Sequence, residues 1–193
     1  MNITRNLVVA VLMTIVTTLL LGVAYPLVVT GLAQVLFRDK ANGQLIERGG
    51  KVIGSRIIGQ SFSSSGYFRS RPSAAGTGYD ATSSGGTNLG PTNKKLVDAV
   101  TASVQAARKE NPDAPIPIDL VTSSASGLDP HISPAAAAFQ VPCVARERGM
   151  DASDLQRLVD ARTAGRQLGF LGEPVVNVLE LNLALDEQHP MKK

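Results

Sequence analysis

The sequence predicts one N-terminal transmembrane α-helix followed by a small mixed α/β (α+β) soluble domain. The first observation behind this prediction is the absence of any charged residue between Arg5 and Arg38. The second is that short helical and strand-like hydrophobic patterns follow, separated by glycine, proline and serine. A chain of 193 residues has room for one such domain and one appended segment. We expect residues 1–6 to precede the span, 7–36 to form it and 37–193 to form the soluble domain.

The apolar run Leu7–Val29 predicts the membrane span. As a helix, its 23 residues would cross a hydrocarbon core of roughly 30 Å. Thr14, Thr17 and Thr18 can donate hydrogen bonds to their own helix backbone, which lowers the cost of placing them in lipid. Pro26 is expected to kink the helix or to end its regular part, because it lacks an N–H group. The alternative is a cleaved signal peptide, whose apolar core is usually much shorter than this run.

The charges that flank the span leave its orientation open. Arg5 precedes the span, whereas Arg38, Lys40, Arg48 and Lys51 follow it. A simple count of positive charges would place the carboxyl side in the cytoplasm. Long domains, however, are translocated largely regardless of such charges.

Composition narrows the possible function classes. The net charge of +3 comes from 19 basic and 16 acidic residues, a mixed balance that is not typical of a nucleic-acid-binding protein. The single cysteine, Cys143, excludes an intramolecular disulfide framework, and we expect a buried, inert thiol. Two histidines and one cysteine are too few for a typical zinc site, so we expect no metal.

The first elements of the soluble domain are expected to be short. Val52–Ile53 and Arg56–Gln60 suit β-strands. Leu96–Ala107 carries aliphatic residues at helical spacing and predicts a helix, which Asn111-Pro112 should end. Residues 115–121, PIPIDLV, predict an extended segment with a short strand.

Three more helices are predicted towards the carboxyl end. Ser133 is the expected N-cap of the first, and Pro142 should break that helix or begin another. Residues 151–166 predict the second, with Asp151 as its N-cap and a glycine near its end. Residues 176–186 are ambiguous between strand and helix, but their leucine content and length favour a helix.

The segment Gly59–Pro91 predicts an ordered loop. It is rich in small residues, yet it holds Phe62, Tyr67, Phe68 and Tyr79, which are four of the eight aromatic residues of the chain. Disordered linkers are usually poor in aromatic residues. A loop of this length inside a compact domain is usually functional or disordered. We therefore interpret it as a recognition surface.

Within this loop, residues 83–90 (SSGGTNLG) allow two interpretations. Backbone N–H groups of glycine-rich turns bind anions, so the segment could contact a nucleotide. The chain has no Walker-type lysine motif to support that function. The structural alternative is that Gly85-Gly86 make a tight turn and that Asn88 or Thr92 caps the next helix.

Asp129 and His131 form a second candidate. A histidine close to a carboxylate could activate a serine in a membrane-tethered hydrolase. The sequence lacks a Gly-x-Ser-x-Gly nucleophile elbow, however, and an Asp-Pro pair more often marks a turn. The hydrolase stays an alternative at this point.

Seven longer segments match one known family in sequence order. They are YPL at 25–27, GSRIIGQSF at 54–62, GYFRSRPSA at 66–74, SSGGTNLGP at 83–91, DLVTSSASGLDPHISP at 119–134, FQVPCVARERG at 139–149 and GEPVVNVLELNLALD at 172–186. The chain therefore resembles, over nearly its whole length, the C-subunit family of the bacterial Kdp potassium-transporting ATPase. It departs from the family pattern at Cys143, where a basic residue is expected, and at Thr87, where a serine is expected.

The resemblance implies a place in a pump of four subunits. The A subunit is channel-like and selects potassium, the B subunit is a P-type ATPase, and the very small F subunit stabilises the assembly. The C subunit would be a non-catalytic accessory protein of the bacterial inner membrane, with its N-terminus in the cytoplasm and its domain in the periplasm. It would raise the ATP affinity of the B subunit as a catalytic chaperone. ATP, on the B subunit or shared with it, and potassium would belong to the complex, and no cofactor would be bound tightly.

The resemblance also implies two sets of site residues. The first is a set of candidate nucleotide contacts: Gln60, Ser84, Gly85, Gly86 and Asn88. A periplasmic domain cannot touch cytoplasmic ATP, so any effect on ATP affinity would then pass through the membrane subunits as a coupling free energy. A nucleotide-binding regulator that faces the cytosol is the alternative. The second set is a candidate partner interface: Tyr67, Phe68, Arg69, Arg71, Tyr79, Asp129 and His131. We hypothesise that the loop Gly59–Pro91 docks on the periplasmic face of the A subunit, close to the point where potassium enters.

Overall fold

The computed structural model describes residues 2–191. The chain forms two compact units, residues 1–45 and residues 46–193. Among the described residues, those of the first unit are mainly helical, and those of the second form four α-helices and short strands. This architecture confirms the predicted combination of one long apolar helix and a small domain of helices and sheets.

The first unit is dominated by one continuous helix, Ile3–Leu36. It consists of α1 (Ile3–Thr17), a π-helical segment (Thr18–Ala24) and α2 (Tyr25–Leu36), and the short helix α3 (Arg38–Ala41) follows. The long helix has a mean hydropathy of 2.6 in its most apolar window, and none of that window is buried by the rest of the chain. It is therefore long and apolar enough to cross a membrane.

Pro26 does not end this helix, contrary to one of the two expected outcomes. The turn that precedes it widens into the π-helical segment, and the N–H of Tyr25 donates to the carbonyl of Leu20, five residues earlier. A wider turn accommodates the missing N–H and the ring of a proline while the helix continues. Thr14 and Thr17 donate to the carbonyls of Ala10 (2.9 Å) and Met13 (2.7 Å), as expected for hydroxyls in an apolar helix.

The second unit contains two small sheets. Strands β1 (Leu45–Arg48) and β2 (Lys51–Ser55) pair across Gly49-Gly50, where positive φ values suit a two-residue hairpin turn. Val52–Ile53 thus lies in a strand as predicted, whereas Arg56–Gln60 forms a turn and irregular structure instead of the expected strand.

The other sheet has the order β3-β5-β4, with both neighbours antiparallel to the central strand. Its strands are β3 (His131–Ile132), β4 (Thr163–Ala164) and β5 (Val175–Asn177). β5 was not predicted as a strand, because only three residues separate Pro174 from the next helix. The sheet is narrow, and two helices of the unit contact its central strand.

Four helices complete the second unit: α4 (Lys94–Glu110), α5 (Pro134–Arg148), α6 (Ala152–Ala161) and α7 (Val178–Gln188). Each begins at a side chain that accepts a backbone N–H. The predicted caps Ser133 and Asp151 are confirmed, and Asn177 caps α7. The cap of α4 is Asn93 instead of the expected Asn88 or Thr92.

Three sequence predictions about this unit were wrong. Pro142 lies inside α5 and does not break it, because Val141, Val144 and Ala145 are buried, and that burial offsets the roughly 3 kcal/mol that an interior proline costs. The expected strand within residues 115–121 is a 3₁₀ turn, Ile118–Leu120, whose Asp119 carboxylate accepts from the N–H of Ser133. Helix α6 ends at Ala161, before the predicted glycine, because β4 begins at Thr163.

The hydrophobic core lies between α5, α6, α7 and the three-stranded sheet. From the long loop, Phe68 enters this core with a fully buried ring, and Phe62 packs at its edge. In α6, Leu155, Leu158 and Val159 recur at helical spacing, and all three are buried. The buried core residues are Phe68, Ile132, Ala136, Ala137, Val141, Val144, Ala145, Leu155, Leu158, Val159, Val176, Val178, Leu181, Ala184 and Leu185.

We predict that Phe68→Ala destabilises the second unit by about 3–5 kcal/mol, because the substitution leaves a cavity in the core. Phe170→Ala is the matched control, since its ring is 70% exposed, and it should change stability by less than about 0.5 kcal/mol. The measurement is the free energy of unfolding of the full-length chain in detergent. Equal effects of the two variants would contradict the core position of Phe68.

Candidate functional site: the ordered loop Gly59–Pro91

Two buried side-chain amides hold the centre of the loop. Asn182 accepts from the N–H of Phe68 (2.9 Å) and donates to its carbonyl (2.9 Å). Gln140 does the same for Arg69, accepting from its N–H (2.8 Å) and donating to its carbonyl (3.2 Å). Each amide thus satisfies both backbone groups of one residue, as a neighbouring β-strand would. The loop is therefore ordered without any strand of its own.

Arg148 connects the start of the loop to the end of the chain. Its side chain is fully buried and donates to the carbonyls of Gly66 (2.7 Å) and His189 (2.7 Å). It also pairs with Asp186 (2.8 Å) and lies over the ring of Tyr67, 4.7 Å from the ring centroid. A buried arginine needs this number of partners, because an unpaired buried charge is very costly.

Tyr67 contacts both Arg148 and its partner Asp186. Its hydroxyl donates to Asp186 (3.0 Å), and its ring packs 5.7 Å from that of Phe62. Burial, followed by the hydrogen bond and the negative charge of Asp186, raises the pKa of Tyr67. The neutral phenol therefore remains a donor, which keeps the ring fixed beside Arg148.

The second half of the loop is closed by hydroxyl groups. Ser73 donates to the carbonyl of Gly127 (2.6 Å) and accepts from the N–H groups of Ala75 and Tyr79. Tyr79 donates from its hydroxyl to the carbonyl of Arg71. Gly127 has a φ of 67°, and an added Cβ would lie 2.5 Å from the nitrogen of Ala75, so only glycine permits this close approach.

The predicted His–Asp pair is not arranged as a catalytic triad. The carboxylate of Asp129 pairs with Arg71 (3.2 Å) and accepts from the backbone N–H of His131 (3.0 Å). The Nδ1 atom of His131 lies 3.7 Å from this carboxylate, which is too far for a hydrogen bond. The hydroxyl of Ser133, which lines the same cavity of about 410 Å³, donates to Asp119 and caps α5. The geometry therefore favours a structural function for Asp129.

Three of the five candidate nucleotide contacts already have partners within the domain. Gln60 donates to the carbonyl of Ile53 (3.2 Å). The N–H of Gly85 (2.9 Å) and the hydroxyl of Ser84 (3.0 Å) both donate to the carbonyl of Ser126. Residues 84–90 form no turn, so the expected tight turn at Gly85-Gly86 was wrong. A nucleotide-binding function of these residues and of Asn88, which has a positive φ of 51°, stays a prediction.

The residues predicted to contact a partner fall into three groups by burial. Phe68 is fully buried in the core, so it does not offer a surface to another protein, and this part of the prediction is corrected. Arg69 is exposed and pairs with Glu110. The other five are half-buried, and a contact of any of them with a partner stays a prediction: Tyr67, Arg71, Tyr79, Asp129 and His131.

Cys143 is half-buried, in contrast to the expected buried thiol. It lines a cavity of about 150 Å³ together with Ser63 and Ser65 of the loop. Within the described residues, no group of three or more histidine, cysteine, aspartate or glutamate side chains is arranged to hold a metal ion. Sequence reasoning missed Asn182, Gln140 and Arg148, since a polar residue inside a helical pattern carries no signal of its distant partner.

We predict that the domain loses stability as the pH rises above 10 and that Tyr79 contributes to this loss. Burial raises the pKa of Tyr79 from its ordinary value of 10.0, so the folded state binds the phenolic proton more tightly than the unfolded state. The stabilisation is complete below pH 10 and declines as the pH rises through the raised value. Tyr79→Phe should therefore show a shallower alkaline decline in unfolding free energy. Tyr25→Phe, which lies outside the second unit, is the control and should show the same alkaline decline as the wild type. Identical alkaline curves for Tyr79→Phe and the wild type would contradict the contribution of Tyr79.

The chain matches one protein family over most of both the apolar helix and the second unit. The family model KdpC, described as K+-transporting ATPase, c chain, matches residues 7–187. The potassium-transporting ATPase KdpC subunit of Koribacter versatilis is 65% identical over 187 residues, which cover 97% of this chain and 97% of that protein. Its counterpart from Rhodospirillum rubrum is 61% identical over 176 residues, covering 90% and 91%. The one from Mycobacterium bovis is 54% identical over 185 residues, covering 94% and 98%.

Proposed function

The chain belongs to the family of KdpC subunits of K+-transporting ATPases, and from this premise we propose how it serves the pump. It acts as a non-catalytic accessory subunit that docks on the other subunits through the loop Gly59–Pro91. Docking stabilises the assembled complex and shapes the path by which potassium enters it. The single observation that carries this proposal is the order of the loop, whose backbone is held by buried side chains.

A loop that is ordered before binding loses little conformational entropy when a partner docks on it. Asn182, Gln140 and Arg148 hold its first half, and Ser73 and Tyr79 hold its second half. The exposed residues at 76–78 and 81–84 are glycine, alanine, serine and threonine, which are all small. Such a surface is rigid and allows close approach of another backbone.

The partners of this surface would be the channel-like A subunit, the ATP-hydrolysing B subunit and the small F subunit. ATP binds the B subunit in this proposal, and potassium is the transported ion. The C subunit raises the ATP affinity of the B subunit by a coupling free energy, which requires only that it binds the ATP-bound state more tightly. The internal hydrogen bonds of Gln60, Ser84 and Gly85 favour this indirect route over direct contact with ATP.

In this proposal the helix Ile3–Leu36 crosses the bacterial inner membrane once, with the N-terminus in the cytoplasm and the soluble unit in the periplasm. Its span contains no charged side chain between Arg5 and Arg38, which favours an anchor over an ion pathway. Gly22 and Gly31 of the helix leave room for close packing against a neighbouring helix.

We predict that a cysteine at the exposed position Ser65, in a Cys143→Ala background, reacts with a membrane-impermeant thiol reagent in intact spheroplasts. A periplasmic loop is accessible from outside, so labelling should need no lysis. Lysed cells give the maximum signal, and the Cys143→Ala chain without the new cysteine gives the background. Labelling only after lysis would reverse the orientation and would favour the regulator that faces the cytosol.

We further predict that Thr77→Arg combined with Ser83→Arg weakens copurification with the other subunits and lowers potassium-stimulated ATP hydrolysis by the complex. Both positions are exposed in the loop, and a long charged side chain there would block close docking without disturbing the core. Deleting Tyr67–Tyr79 is a poorer test, because the deletion would also remove Phe68 from the core.

The matched control is Ala102→Arg on the exposed face of α4, which should leave assembly and ATP hydrolysis unchanged. The free energy of unfolding of all variants should equal that of the wild type. Normal assembly and activity of the doubly substituted loop would overturn docking through this surface.

A further inference from the structure

A short hairpin between β4 and β5 presents three large apolar side chains to solvent. Leu168 is 82% exposed, Phe170 is 70% exposed and Leu171 is 48% exposed. We refer to these three residues as the apolar tip. Isolated exposed apolar residues are common, but a cluster of three on one projecting turn usually marks an interaction site.

The backbone of the hairpin keeps the apolar tip outward. Gln167 and Leu171 exchange two backbone hydrogen bonds, each of 2.9 Å. Leu168 adopts a left-handed conformation with a φ of 53°, which is unfavourable for a residue that carries a Cβ. The ion pair between Arg166 and Glu173 (2.7 Å) closes the base of the hairpin. A leucine that is both strained and exposed has no stabilising function in the fold of the domain itself.

The occupant that fits the tip is a lipid bilayer. We propose that the apolar tip enters the interfacial region of the membrane in which this chain is anchored. The first reason is the short covalent link between the long helix and the second unit. Nine residues, 37–45, separate the end of the long helix from the second unit, and they span at most roughly 30 Å when extended. The second unit, 148 residues long by its bounds 46–193, has an expected radius of gyration of about 15 Å, so a tether of this length allows the unit to reach the lipid surface when the helix crosses the membrane as proposed above.

The second reason is chemical complementarity. The exposed Arg162 immediately precedes β4, whereas Arg166 at the base of the hairpin is ion-paired with Glu173. Apolar side chains at a tip with a guanidinium group behind them match the order of acyl chains and phosphates in a membrane interface. Leucine and phenylalanine are also the side chains that interfacial segments use for insertion.

The third reason is size. Stable protein interfaces bury about 800 Å² on each partner. The three side chains of the tip offer only a few hundred Å², because a single aromatic residue buries at most about 250 Å². A docking site for another subunit would need further apolar surface around the hairpin, whereas a bilayer accepts a small wedge.

The test uses the assembled transporter, reconstituted into nanodiscs with brominated phospholipids. A fluorophore is attached to a cysteine introduced by Phe170→Cys, in a Cys143→Ala background. Ile118→Cys is the matched control, because Ile118 is a comparably exposed aliphatic residue (74%) outside the hairpin. Bromine quenching should be several-fold stronger at position 170 than at position 118.

A second variant makes the test specific to the apolar tip. Adding Leu168→Ser and Leu171→Ser to the labelled chain should lower the bilayer-inserted fraction roughly tenfold, since two apolar side chains no longer enter the lipid. Quenching at position 170 no stronger than at position 118 would overturn the proposal. Weak bromine quenching at position 170 together with shielding from aqueous iodide would mean that another subunit covers the tip. That result would also overturn insertion into lipid.

Discussion

The fold of the second unit depends on the hydrogen bonds between the side chains of Asn182 and Gln140 and the backbone of Phe68 and Arg69. Both amides are buried, and each satisfies one N–H and one carbonyl of a loop that has no strand to pair with. Without them, those backbone groups would be buried and unsatisfied at a cost of about 1–3 kcal/mol each. With them, the ring of Phe68 can enter the core while its backbone stays irregular.

The same constraint explains why the surrounding polar residues are paired so extensively. Once the loop is drawn against α5 and α7, Arg148 becomes buried and takes partners in Gly66, His189 and Asp186. Arg71 likewise takes Asp129, the carboxylate that a hydrolase would have used to orient a histidine. The groups that suggest chemistry in the sequence thus have structural partners, and the exposed residues at 76–78 and 81–84 of the loop are small. That outcome suits an accessory subunit whose task is to fit a partner.

The two surfaces of the second unit differ in kind. The loop Gly59–Pro91 is polar and internally bonded, which suits docking on a protein, whereas the hairpin tip at Leu168 and Phe170 is apolar and suits lipid. In these proposals, the chain contacts a partner through one surface and the bilayer through the other.

The sequence by itself determined the features that arise from neighbouring residues. The apolar length of the long helix, the N-caps Ser133 and Asp151 and the buried residues of α6 follow from patterns among residues that are close in sequence. Tertiary structure alone decided that Pro142 stays inside α5 and that Phe68 is a core residue. The bonds that bury Phe68 and Arg69 join residues 114 and 71 positions apart. No local pattern encodes such pairs, because their energy exists only once the chain has packed.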